Sequence, residues 1–153
     1  MEGHVVSVSK VIAAPAAALF SVVADASRHA EIDGSGAVVK LKDGAPHQLS
    51  LGSTFGMSMK MGVPYSMSNT VIEFEQDRRI AWKTVLSGPL GRFVGGRIWR
   101  YEFEEVDGGT KVTESWDVSQ DKQKFFLEMG KLGTQTADGM TKSLERLATA
   151  AAS

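Results

Sequence analysis

The chain has 153 residues, with 17 basic against 18 acidic side chains and a formal charge of −1. That length predicts one domain over residues 1–153 with a real core, and that balance argues against a nucleic-acid surface or a polybasic membrane patch. With no cysteine in the chain, disulfides, thiolate catalysis and thiolate metal sites are excluded.

His4 to Ile12 mixes valines with serines in near-alternation and predicts a first strand. Ala14-Pro15 ends it, and Pro15 suits a helix start because its missing amide would have no partner there. Leu19, Phe20, Val22 and Val23 predict a short apolar helix ending near Ala24-Asp25, with one or two further turns over Ala26 to Asp33. Asp33-Gly34-Ser35-Gly36 predicts a tight turn. Val38 to Leu41 is a second short strand. In the next strand Phe55, Met57, Met59 and Met61 share one face, while Thr54, Gly56, Ser58 and Lys60 share the other. Tyr65 to Glu75 and Arg79 to Leu86 predict two more strands, joined at Gln76-Asp77-Arg78. Odd and even positions of Tyr65–Glu75 are mixed in character, so its inward face is left open. The glycines of Ser87-Gly88-Pro89-Leu90-Gly91 and Gly95-Gly96 predict a mobile lip.

Asp107-Gly108 is a preferred two-residue turn, which sets Val106 opposite Gly109. Counting outward pairs Phe103 with Val112, Tyr101 with Glu114 and Trp99 with Trp116, all on one face with Arg97 and Val118. A one-residue slip would mix apolar with polar residues. Glu114 is the exception on the apolar face. From Asp121 to Ala150, Phe126, Met129, Gly133, Thr136, Ala137, Met140, Leu144 and Leu147 recur at helical spacing. Ser119 or Asp121 would cap that helix. Its face is bulky at both ends and small at Gly133, Thr136 and Ala137, which predicts a hollow beneath its middle, bulky sheet residues filling that gap being the alternative. Strands joined by short hairpins, with one long helix on one face, predict an α+β domain.

This order resembles the superfamily of START lipid-transfer domains, the major birch pollen allergen and polyketide cyclases/dehydrases (SRPBCC), whose shared architecture is the helix-grip fold. Val11-Ile12-Ala13-Ala14-Pro15 with Leu19-Phe20-Ser21-Val22-Val23-Ala24-Asp25 carries the likeness, as do Arg79-Ile80-Ala81-Trp82 and Gly109-Thr110-Lys111-Val112-Thr113-Glu114-Ser115-Trp116. Residues 28–36 look like an actinobacterial polyketide cyclase/dehydrase-like group. The resemblance implies an antiparallel sheet of about seven strands wrapped around a long C-terminal helix, two short helices after the first strand, and an apolar cavity between sheet and helix. It does not name an activity.

Several residues could serve such a cavity. Phe55, Met57, Met59 and Met61 would form a flexible wall, ordinary core packing being the alternative for any one methionine. Trp99, Tyr101 and Trp116 would stack on a ring-bearing ligand, or in the case of Trp116 simply pack beneath the helix. Arg97, Met129, Gly133 and Thr136 complete the ligand-binding candidates. Glu114 in an apolar site would have a raised pKa and could move protons, with Tyr101 or Arg97 as partner. An ion pair with Arg97 is the plainer reading, and a bulge would turn Glu114 outward. His29 and Asp33, four apart, would share a helix face; the resemblance puts them at the cavity mouth, where they could act as a base pair, a surface hydrogen bond or helix C-cap being the alternative.

The three histidines are scattered without metal-ligand spacing, and no phosphate loop or Gly-x-Ser-x-Gly turn occurs. No metal and no cofactor are therefore expected. The N-terminus lacks a basic segment followed by an apolar run, and no stretch approaches a membrane span, so a cytoplasmic monomer or homodimer without an integral membrane segment is expected. The leading expectation is a binder of a small hydrophobic or aromatic ligand, lipid or polyketide-like. A cofactor-free cyclase or dehydratase using Glu114 or His29/Asp33 comes second, and a co-chaperone-like interaction module third.

Overall fold

Strand β1 (Val5–Ile12) leads through Pro15 into helix α1 (Ala16–Val23). Pro15 stands at φ −65° just outside the helix, and its carbonyl accepts from the amides of Ala18 and Leu19. A 3-10 turn at Ala26–Arg28, opened by the Asp25 side chain accepting from the Ser27 amide, runs into α2 (His29–Ile32). Strands β2 (Val38–Leu41), β3 (Thr54–Met61), β4 (Val63–Glu75), β5 (Arg79–Leu86), β6 (Gly95–Val106) and β7 (Gly109–Asp117) follow, then α3 (Lys124–Leu127) and α4 (Leu132–Ala152). This computed structural model describes residues 4–35, 38–41, 48–61, 63–128 and 132–152.

The strands form one antiparallel sheet in the order β1-β7-β6-β5-β4-β3-β2, so every link from β2 to β7 joins neighbours and only β1 is carried across to the far edge. The β6–β7 register is the predicted one, with Trp99 opposite Trp116, Tyr101 opposite Glu114 and Val106 opposite Gly109. In β4 a bulge falls between Val71 and Glu73. Before it, Tyr65, Met67, Asn69 and Val71 share the inner face; after it, Phe74 does, opposite Ile80. An inserted residue reverses the parity of alternation, which is why no single inward face could be read from that strand.

The long helix is shorter than the spacing predicts. The expected run from Asp121 is divided into α3 and α4, and Phe126 is solvent-exposed rather than inward. Asp121 caps only a local turn: its carboxylate accepts from the Gln123 amide, two residues on, and from Arg97, and α3 ends after Leu127. Helix α4 buries Met140, Ser143, Leu144, Leu147 and Ala150 at three-and-four spacing. Leu144 and Leu147 pack in one cluster with Leu19, Phe20, Val23, Trp82 and Phe103, while Met140 packs with Trp116 and Val118 in a second. Each fully buried leucine contributes about 2 kcal/mol of transfer free energy. The outer sheet face is polar, with Arg100 gripping Glu73 through two hydrogen bonds of 2.9 and 2.6 Å.

Candidate functional site

The β6–β7 register sets Glu114 on the inner face, between Tyr101 on one side and Val8 of β1 on the other. Glu114 is buried, and the Tyr101 hydroxyl donates to its Oε1 at 2.7 Å. Its Oε2 is the one buried side-chain oxygen or nitrogen among the described residues without a hydrogen-bond partner. Burial raises the Glu114 pKa to about 8; the Tyr101 hydrogen bond opposes this, and the Asp33 carboxylate adds to it. The tyrosine is pushed well above the ordinary phenol value, by burial first and then by Glu114. Near neutral pH the pair is therefore a phenol donating to a neutral carboxyl, whose remaining proton has nothing of the protein to point at.

Glu114 lies at a seam. Tyr101 belongs to the cluster around Phe20 and Leu147, Trp116 to that around Met140, and Trp99 and Val8 touch both. On one side the interior is filled: Phe20 packs edge-on against Phe74 and Phe103, and Trp82 lies stacked near Tyr101. Elsewhere on the inner face Met59, Tyr65, Arg97 and Trp99 are only half-buried, Met59 packing against the first cluster and Trp99 against both, and Gly133, Thr136 and Ala137 of α4 are half-buried too. Because α4 begins at Leu132, this small stretch stands in the first two turns of the helix and not beneath its middle as the spacing predicts. Two described surface pockets lie elsewhere. One of 290 Å³ sits among charged groups such as Glu75, Arg79 and Lys111, and one of 130 Å³ lies between β1 and α4. Neither touches Glu114.

His29 departs from expectation. It is buried, not at a mouth, and its Nε2 donates to the Val23 carbonyl at 2.7 Å, with its ring stacked 4.8 Å from Trp82 and edge-on to Phe55. Burial lowers its pKa, so it is a neutral packing group. No side-chain pair joins it to Asp33. Asp33 is instead the C-cap of α2, and its carboxylate accepts from the Ser35 amide and hydroxyl and from the Val38 amide. From that turn its charge still acts on Glu114, Tyr101 and Tyr65.

Phe55 and Met57 are buried on the inner face and Met59 is half-buried there. The Met61 side chain and Met129 lie outside the described residues. Arg97 does not pair with Glu114; its Nε donates at 2.9 Å to Asp121, whose side chain is fully buried. Trp99 and Trp116 pack at 6.3 Å. Two inner-face groups escaped the sequence reading. Thr84 donates to the Asn69 side-chain oxygen at 2.7 Å, and the Asn69 amide donates to the Phe55 carbonyl. Both are buried beside Arg97, and the bulge in β4 hid the facing of Asn69. Among the described residues no group of three or more carboxylates and imidazoles could hold a metal ion, and no helix is long and apolar enough to cross a membrane.

A sheet gripping a C-terminal helix, with two short helices after the first strand, defines the helix-grip class of START and birch-pollen-allergen-like domains. Similar solved structures include protein Ms6760 of Mycobacterium smegmatis, at a TM-score of 0.71 with 16% identity over 95% of this chain and 89% of that one. Major latex-like protein 151 of Panax ginseng has a TM-score of 0.66 with 12% identity, covering 95% of each chain. The family model for polyketide cyclase/dehydrase and lipid transport matches residues 3–152, and the chain belongs to that family. An uncharacterized protein of Mycobacterium tuberculosis, Rv0088, is 37% identical over 149 residues, or 93% of this chain. The chain spans 62% of that relative's length.

Proposed function

We propose that the protein binds a small apolar or aromatic ligand, lipid or polyketide-like, on the half-buried part of the inner face, with Glu114 donating a hydrogen bond to a ligand oxygen. The orphaned Glu114 Oε2 carries this reading. Buried polar atoms are almost always paired, and leaving one unpaired costs about 1–3 kcal/mol. A ligand carbonyl or hydroxyl lodged at the seam supplies the missing acceptor. Trp99 and Trp116 offer aromatic walls beside that point, with Met59, Gly133 and Thr136 as further lining of the same ligand, and Arg97 adds a cation held in place by Asp121.

One observation favours proton transfer as the second reading. A carboxyl with a pKa of about 8 stands near neutrality in both directions. Such a group would pass its proton to a substrate carbonyl oxygen as the carbon of an enol in the same substrate adds to the carbonyl carbon, closing a ring, leaving a hydroxyl and releasing the enol O–H proton to water, from which the carboxyl is later restored. The resulting carboxylate keeps the Tyr101 hydrogen bond. His29 has no part in this step.

Native mass spectrometry of the purified protein, followed by denaturing extraction, tests both readings. A released apolar molecule retained by Glu114→Gln but lost from Glu114→Leu supports binding through a donor at this position. If Glu114→Gln binds a ring-precursor substrate that only the wild type converts, the enzyme reading stands. An empty protein that also fails to bind fatty acids and polyaromatic probes overturns both.

A further inference from the structure

Leu90 and Phe93, in and just after the 3-10 turn at Pro89–Arg92, are 60% and 67% exposed, and Phe125 and Phe126 of α3 are 71% and 70% exposed. The two segments carrying them are tied together. The Gln123 side chain donates to the Phe93 carbonyl at 2.7 Å and accepts from the Gly95 amide at 2.8 Å. The Lys122 amide donates to the Gly95 carbonyl at 2.8 Å, and Lys83 reaches the Gln120 side chain. Phe125 and Phe126 pack edge-to-face at 5.9 Å and belong to neither buried cluster, while their neighbour Leu127 packs against the one around Met140. Four large apolar groups are thus held out to solvent by a fixed backbone platform, which ordinary folding does not require.

Their charged neighbours are mostly basic. Residues 83–97 and 118–128 carry Lys83, Arg92, Arg97, Lys122 and Lys124 against Asp121 and Glu128. Asp121 is buried and paired with Arg97, and Glu128 lies against His4, so the excess rests with Lys83, Arg92, Lys122 and Lys124. In a chain of net charge −1 this is a local concentration, and it arises from two stretches that meet only in the fold. Exposed phenylalanine and leucine beside lysine and arginine is the chemistry that seats a protein in the headgroup layer of an anionic bilayer. A second copy of the chain fits less well, since a two-fold contact would set these cations against their own image.

We infer that Leu90, Phe93, Phe125 and Phe126, rimmed by Arg92, Lys122 and Lys124, form a surface that docks the protein reversibly on anionic phospholipid membranes. The inference does not depend on Glu114 or on the identity of a bound ligand.

Vesicle flotation tests it, comparing phosphatidylcholine vesicles with vesicles that also contain phosphatidylglycerol. Wild-type protein is expected to float with the anionic vesicles and to be released as salt is raised. The Phe93→Ser/Phe126→Ser variant loses roughly tenfold or more in partition while unfolding at the wild-type temperature, because neither ring supports the core. The Lys122→Glu/Lys124→Glu variant loses the preference for anionic over neutral vesicles. Absence of flotation at low salt, or flotation unchanged in both variants, overturns the proposal. So does a wild-type dimer in sedimentation velocity that the phenylalanine variant converts to monomer, which would assign the surface to self-association.

Discussion

Glu114 is held neutral by its surroundings, and that has a measurable consequence for the whole fold. Its folded pKa of about 8 lies above the ordinary 4.5. Below about pH 4.5 the carboxyl is protonated whether the chain is folded or not, and it imposes no penalty. Between about pH 4.5 and 8 the unfolded chain releases this proton while the folded protein keeps it, so stability falls as pH rises; above about 8 the loss is complete. Glu114→Gln removes the titration and keeps a similar shape. Without ligand, its advantage over wild type is expected to grow from near zero at about pH 4.5 to roughly 4 kcal/mol at about pH 8. Urea denaturation across that range measures it, and parallel curves for the two proteins would show that Glu114 ionises freely in the fold. The residue was legible because the Asp107-Gly108 turn fixed the register, so a lone acid among Trp99, Tyr101, Phe103 and Trp116 stood out. His29 and Asp33 misled because sequence spacing shows shared faces but not depth. The Val23 carbonyl and the Trp82 ring that claim His29 come from elsewhere in the fold.

Among the elements, the joint between α2 and α4 decides how firmly the Asp33 turn is held over the interior. The Gly34 amide donates to Ser143 Oγ at 2.8 Å, and an Arg146 guanidinium nitrogen donates to the Asp33 carbonyl at 2.6 Å. No side chain fits at position 34. A Cβ there would lie 2.2 Å from the Gly139 carbonyl oxygen and 2.5 Å from the Ser143 amide nitrogen, both backbone atoms of α4. Gly34→Ala must push the turn off the helix and break the Ser143 contact, at an expected cost of about 2 kcal/mol or more. Gly139→Ala is the contrasting case, because its Cβ would come no nearer than 3.7 Å to the closest atoms, those of Ser35. Better helix propensity should leave it neutral or up to about 1 kcal/mol more stable. Equal losses from the two substitutions in chemical denaturation would disprove this account of the joint. Most elements were readable because local signals and hydrophobic period agree, as in β3 and α1. The readings failed where tertiary contacts outbid a local signal. Asp121 looks like a helix cap, but it is also the buried partner of Arg97, and the helix it was expected to start begins at Leu132 instead.

Across the whole molecule, the interior has a finished half and an unfinished one. Phe20, Trp82, Leu144 and Leu147 close the first, whereas Trp99 of β6 and Gly133 and Thr136 in the first turns of α4 are only half-buried. A ligand seated at the seam would bury apolar surface only on the unfinished side, and a ligand that binds the folded state alone stabilises it by mass action. Local opening follows local packing, so amides near the open half should exchange faster in the free protein than those near the closed half. Saturation with an apolar ligand is therefore expected to slow hydrogen exchange most at the first turns of α4 and at the start of β6. Leu144 to Ala150, already packed against α1, should change little beyond the global gain in stability. Exchange read by mass spectrometry on the free and saturated protein separates the cases. Protection spread evenly over α4 would mean that binding tightens the whole fold and that the division of the interior has no bearing on recognition. Protection confined to the 3-10 turn at Pro89–Arg92 and to α3 would move the binding site out to the exposed phenylalanines, away from Glu114.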